Sequence, residues 1–391
     1  MFEPAERVKR LPRYLFAEID RKIREKVAQG VDVIRLGIGD PDSPTPDFII
    51  KRMESEAGRP QNHNYPPDEG LDEFKQAVAD YYAERHQVEL DPEREVLPLI
   101  GSKEGIAHIS FSFIDPGDLS LVPDPGYPVY SIGAQLAGGE PYYMPLTEEN
   151  NYLPRFDRIP ADIAARAKLL FLNYPNNPTG AVAGPEFFEE AIAFARENNL
   201  LVCHDAAYSE LVFGGLRPLS ILEIPGAGSV AIEFNSLSKT FNMTGWRIGY
   251  AVGSVGALEV LGRFKTNIDS GLFKAIQRCG VEALTNPARD SFIDSLRGLY
   301  SRRREIVIDG LQRLGWPALA SRGAFYIWAP VPAGYSSQEF VTRLLDETGV
   351  VVTPGRGFGE HGEGYFRIAL TVGEDRLREA IERIGKSVRF A

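Results

Sequence analysis

From about residue 33 to residue 280 the chain alternates short apolar runs, closed by Gly, Pro or Asp, with longer helical stretches. That rhythm constrains the fold more than any other feature. A parallel strand needs a long crossover to return to the same sheet edge, so strand–helix–strand order implies a wound α/β sheet. The runs at 96–100, 119–122, 168–172, 200–204 and 230–234 are apolar on both alternating faces and read as buried parallel strands, after a first strand at 33–36. Helices are predicted over 47–57, 71–85, 103–113 and 185–198. Past about residue 285 the pattern changes to a long charged helix, 290–314, strands at 324–328, 350–353 and 365–370, and a closing helix, 374–389. The expectation is a large α/β domain over 46–285 with a mostly parallel sheet flanked by helices, and a smaller α+β domain over 286–391. The first 45 residues form an N-terminal arm that joins the smaller domain in part.

Composition narrows the chemistry. Lys and Arg number 43 against 54 Asp and Glu, a net charge of −11, the wrong sign for a nucleic-acid or membrane-surface partner. Two cysteines, Cys203 and Cys279, cannot build a disulfide framework, and the N-terminus has no apolar signal core, so a cytoplasmic protein is expected. No run approaches the ~20 apolar residues of a membrane span. Five histidines, none in HxxxH or beside CxxC, predict no metal site.

Four motifs sit at predicted strand ends, where open α/β sheets place ligands. Lys239 in SLSK, flanked by Ser236 and Ser238 and followed by Arg247, is a candidate amine nucleophile beside hydroxyls and a fixed cation. Asp205 closes an apolar strand and can accept a charged N–H from a heteroaromatic ring, with Tyr208 three residues on as a phenol donor. Asn177 in YPNNPTG offers an amide, and Ser102 in GSKEG opens a helix whose first N–H groups favour an anion. Each motif alone is a common turn or cap. Together they supply a phosphate cradle, a ring-nitrogen partner, ring-oxygen donors and an amine, the inventory required by pyridoxal 5'-phosphate. The adjacent Cys203 and His204 point to opposite strand faces and make no dyad. The glycine-rich run 355–359 lacks the helix and acid of a dinucleotide loop and reads as a flexible wall of the site.

With GIGDPD, NYPPDEG, PDPGYPVY, YPNNPTG, HDAAY, SLSKTFNMTGWRIGY and FRIAL in order from residue 37 to 370, the sequence resembles the fold-type I aminotransferases. The resemblance implies the pyridoxal-phosphate-dependent transferase fold. It makes Lys239 the catalytic lysine and proton shuttle, Asp205 the pyridinium partner, and Asn177 and Tyr208 donors to the ring oxygen. It makes Ser102, Ser236, Ser238 and Arg247 phosphate ligands, Tyr127 the aromatic stacked on the ring, and Arg367 the fork for the substrate α-carboxylate. In isolation Arg367, placed on an edge strand, reads as a surface charge. Tyr65 resembles a tyrosine that reaches the phosphate of the neighbouring subunit, which implies a homodimer with shared sites.

Within that family, LPRYLFAEIDRKI, GSKEGIAHIS, EFNSLSKTFNMTGWRIG, NIDSG and GEGYFRIALT resemble most closely the LL-diaminopimelate aminotransferases. That resemblance adds Tyr14, Gly39 and Lys103 to the substrate site, with Lys103, Tyr127 and Asn177 shared between cofactor and substrate, and places Arg13 near the distal end. The expected substrates are amino acids and 2-oxo acids. A general 2-oxoglutarate aminotransferase, a carbon–sulfur lyase and a pyridoxal-phosphate-binding regulator are the weighed alternatives. The family pattern begins by about residue 11, so no DNA-binding domain is expected ahead of it.

Overall fold

The computed structural model describes residues 2–11, 15–318 and 320–387, the first four of the second stretch by backbone alone. Its strands, in chain order, are β1 Ile34–Arg35, β2 Val96–Leu99, β3 Leu119–Asp124, β4 Glu140–Pro145, β5 Ala167–Asn173 and β6 Leu201–Asp205. They continue with β7 Ala231–Ser236, β8 Gly249–Gly253, β9 Tyr326–Pro330, β10 Val350–Val351, β11 Thr353–Pro354 and β12 Tyr365–Ala369.

Seven strands form one sheet in the order β2-β8-β7-β6-β5-β3-β4. β7, β6, β5, β3 and β4 are mutually parallel, as the strand–helix rhythm requires. β2 corrects the expectation of a parallel strand: it pairs antiparallel with β8, which is itself antiparallel to β7. Two reversals restore the direction, so β2 ends on the same rim as β7. The alternation within the runs sorts cleanly to two faces. Leu170, Leu172 and Val202 enter one core cluster, while Leu169, Phe171 and Cys203 enter another. Both faces are therefore covered, which is why the runs are apolar throughout. His204, opposite to Cys203, meets the buried Glu233 carboxylate through Nδ1 at 3.0 Å.

The helices Asp47–Ala57 and Pro185–Asn198 match their predicted bounds. Pro185 suits a first helical position, where its fixed φ helps and its missing N–H has no partner to lose. Lys274–Thr285 and Ser337–Thr348 were not foreseen. The second carried a signal, a reciprocal Ser336–Glu339 capping box.

A second sheet is antiparallel, in the order β11-β12-β9. Arg367 faces Thr353 on one side and Trp328 on the other, so it lies on the central strand and is buried, not on an edge. The predicted strand 350–353 divides in two. Val350–Val351 pairs in parallel with β1, and Thr353–Pro354 joins β12. One core cluster unites this sheet with the long helix Arg289–Arg313 and with Ile19, Ile23, Ile34 and Leu36 of the N-terminal segment.

That segment is held along its carbonyls. Leu36 O accepts from Ala369 N at 2.7 Å, Gly37 O from Thr353 Oγ1 at 2.7 Å and Ile38 O from Thr371 Oγ1 at 2.8 Å. Asp42 closes the strap with a two-pronged ion pair to the buried Arg303 (2.7 and 2.8 Å). Among the described residues no helix is long and apolar enough to cross a membrane.

Candidate active site

The carboxyl ends of β2, β3, β5, β6 and β7 open onto one cavity of about 570 Å³, lined by residues from each of the four strand-end motifs. Its centre is Lys239. β7 runs straight into a short helix, Leu237–Thr240, that lifts this lysine off the sheet. Its Nζ donates to Gly39 O at 2.7 Å. Burial pulls the amine down to about 8; Asp40 opposes that shift and Arg367 and Arg247 add to it.

Below it, Asp205 ends β6 in a buried site. Tyr130 Oη donates to Oδ2 at 2.8 Å and Ala207 N to Oδ1 at 3.2 Å. Burial holds the carboxyl above the usual range, against these hydrogen bonds and the nearby His204. Two neutral donors leave an anion here under-compensated, and a cationic N–H is the partner it lacks.

Asn177 stands in the turn after β5, ordered by Asn173 Oδ1, which accepts from the Asn177 backbone N at 2.8 Å. Its own Oδ1 accepts from Arg367 Nη1 at 2.6 Å. Arg367 Nη2 donates to Gly37 O at 2.7 Å, and the guanidinium lies 4.1 Å from the Tyr326 ring centroid and 4.7 Å from that of Phe358. Its Nε is buried without a hydrogen-bond partner, so one edge of the fork is open to an acceptor. Tyr208 is buried with its hydroxyl 2.8 Å from that of Tyr326.

Across the cavity, Gly101 at φ +73 turns the chain into the helix Ser102–Phe113. A Cβ at Gly101 would run into the Arg247 guanidinium, and one at Gly249 would meet Ser102 N. At Gly249 the obstacles are backbone atoms, so only hydrogen fits; at Gly101 the left-handed φ adds the strain that favours glycine. Ser236 and Ser238 are buried beside them, Ser236 Oγ accepting from Ser238 N at 3.2 Å. Arg247 is exposed, in a left-handed conformation at φ +55, with Nη1 donating to Thr244 O at 2.8 Å. Helix N–H groups, two hydroxyls and a guanidinium make a tetrahedral-anion cradle.

Lys103 is exposed, and Tyr127, half-buried, meets Tyr130 edge-on at 5.8 Å; both line the cavity, as does Gly39. Tyr65 does not; it is 84% exposed. Tyr14 and Arg13 lie outside the described residues. The sequence reading missed Asp20, Asn173, Tyr130, Tyr326 and Phe358, of which only Tyr130 does not itself line the cavity. Asp20 belongs to the quoted LPRYLFAEID stretch, and Phe358 to the glycine-rich run. Tyr326, in an apolar strand, gave no signal apart from core.

The family described as aminotransferase class I and II matches residues 31–384. The chain belongs to the class I and II aminotransferases. Members of this family work with pyridoxal phosphate on amino acids and 2-oxo acids. This aminotransferase chain is 56% identical over 382 residues to an LL-diaminopimelate aminotransferase of Moorella thermoacetica, covering 98% of this chain and 97% of that one. A protein of Syntrophobacter fumaroxidans with the same name is 56% identical over 385 residues, 98% and 99% of the two chains. Among solved structures, apo-BacF of Bacillus subtilis matches with a TM-score of 0.97 and 38% identity over the full length of both chains.

Proposed function

We propose that this aminotransferase transfers an amino group between glutamate and tetrahydrodipicolinate, giving LL-diaminopimelate and 2-oxoglutarate. The buried amine of Lys239, titrating near 8 between an anion cradle and Arg367, is the observation that carries a pyridoxal-phosphate role. The relatives at 56% identity support the substrate.

The residues fit the cofactor by their own chemistry. Ser102, Ser236, Ser238 and Arg247 suit a phosphate, and Asp205 suits a protonated ring nitrogen. Asn177 and Tyr208 offer donors for a ring oxygen, and Tyr127 offers an aromatic face. Bound pyridoxal phosphate supplies the sink for the electrons left when the substrate α-carbon loses its proton. Lys239, as a neutral amine, takes that proton and returns it on the other side of the reaction. Arg367 binds the α-carboxylate with its open Nε edge and keeps it turned toward the lysine. Gly39, Lys103 and Tyr14 belong to the far end of the substrate.

The same reading makes residues 46–285 the cofactor-holding unit and joins 286–391 to the first 45, in keeping with the core cluster those last two share. It also includes a homodimer. Tyr65, with the exposed Ile268 and Phe273, supports a second copy that receives the tyrosine in its own site.

Two measurements test the reading. Purified protein assayed against LL-diaminopimelate, alanine, aspartate and aromatic amino acids should prefer the first by at least about tenfold in kcat/KM, roughly 1.4 kcal/mol. Equal or greater rates with the others overturn the substrate. For cofactor uptake, the neutral amine is the reactive form. Because burial lowers the Lys239 pKa from 10.5 to about 8, the amine gains its proton as pH falls through 8. Covalent loading of the cofactor-free protein should therefore slow by about tenfold per pH unit below that point and level off above it. Stopped-flow absorbance reads this, and a plateau reached only above pH 10 contradicts it.

A further inference from the structure

Tyr326 touches three groups brought from distant parts of the chain, Tyr208, Arg367 and Gly39. It sits on β9 and is 2% exposed. Its hydroxyl is 2.8 Å from that of Tyr208, and its ring carries the Arg367 guanidinium at 4.1 Å. Gly39 passes so close that a Cβ there would collide with the Tyr326 hydroxyl, and Gly39 O is what holds Lys239.

We propose that Tyr326 is a positioning residue that couples the two halves of the site, its hydroxyl orienting the Tyr208 phenol and its ring face holding Arg367. This rests on the reading above, in which Tyr208 serves the cofactor and Arg367 the substrate. A phenol has one proton to give. When Tyr208 donates to the ring oxygen of pyridoxal phosphate, its own oxygen is left to accept, and Tyr326 is the donor in reach. Among the described residues Tyr208 is the only hydrogen-bond partner of the Tyr326 hydroxyl. Burial holds both phenols above their usual range, so each keeps its proton. A hydrogen bond received strengthens the one given, by ~10–30%. Tyr326 thus makes Tyr208 a better donor to the negative ring oxygen. A better donor stabilises the deprotonated cofactor–lysine linkage and lowers the pH at which it titrates.

The geometry separates the hydroxyl from the ring, and so does mutation. Tyr326→Phe keeps the ring under Arg367 and removes the donor. The visible absorbance of the Lys239-linked cofactor should then titrate at a midpoint higher by roughly half a pH unit, with KM for the amino acid within about twofold of wild type. Tyr208→Phe should raise the midpoint further, and adding Tyr326→Phe to it should move it no more, because the donor then has nothing to strengthen. Tyr326→Leu, which also removes the ring face, should raise KM by roughly tenfold. An unmoved midpoint in Tyr326→Phe, or additive shifts in the pair, overturns the coupling. An unchanged KM in Tyr326→Leu overturns the ring's role. A wild-type protein with no such absorbance overturns the cofactor reading instead, so the two failures are distinct.

Discussion

Replacing Lys239 with alanine should reduce kcat by roughly 10,000-fold, the upper range for a positioned general acid–base, because among the described residues Lys239 is the buried amine at the centre of the cavity. Lys103, which also lines the cavity, is exposed. The substitution should also remove the covalent adduct that borohydride traps on incubation with pyridoxal phosphate, read as a mass increment on the intact chain. The cradle residues are untouched by the change, so the cofactor should still bind, now released by dialysis. Added alkylamines should restore a part of the rate, since the proton transfer needs an amine and not a lysine backbone. Turnover within tenfold of wild type, or an adduct that persists at another residue, removes Lys239 from the mechanism.

Arg367→Lys should lower kcat/KM for both glutamate and LL-diaminopimelate by about 100- to 1,000-fold, the scale of losing a buried bidentate charge contact. The charge survives, but the fork does not. One ammonium cannot donate to Asn177 Oδ1 and Gly37 O and still offer a planar edge to a carboxylate. Cofactor loading should change little, because the substitution leaves Ser102, Ser236, Ser238, Arg247 and Lys239 in place. A loss confined to one of the two amino acids would place this arginine at the distal end of the substrate, not at the α-carboxylate both share.

How far the sequence could be read depends on which physical signal each part leaves. Long amphipathic periods with clean ends gave the helices Asp47–Ala57 and Pro185–Asn198 to the residue. Strand ends closed by functional residues gave the cavity, because Asp205, Ser236 and Asn177 follow runs that are unmistakably apolar. Gly249–Gly253 was hidden because a five-residue run bounded by glycines looks like loop, and with it went the antiparallel pairing of Val96–Leu99. Arg367 left a misleading trace. A charge in a short strand resembles an edge residue, and only the pairing on both sides shows that it is central. Tyr326 left none, since a tyrosine in an apolar strand is the ordinary material of a core. Its role lies in partners 118 and 41 positions away, which no local pattern reports.

The strap of residues 36–42 has a consequence for how the chain reaches activity. Its carbonyls are held by groups 316, 330 and 333 positions later, and Lys239 rests on a carbonyl 200 positions earlier. Contacts so remote in sequence close late, because loop entropy must be met before they form. The N-terminal stretch leaves the ribosome first, yet the groups that hold the carbonyls of Leu36, Gly37 and Ile38 are made only between residues 353 and 371. A nascent chain can thus build most of the seven-stranded sheet, cradle and lysine included, and still lack the floor on which that lysine sits. The last contacts of the lysine's floor therefore form near the end of synthesis.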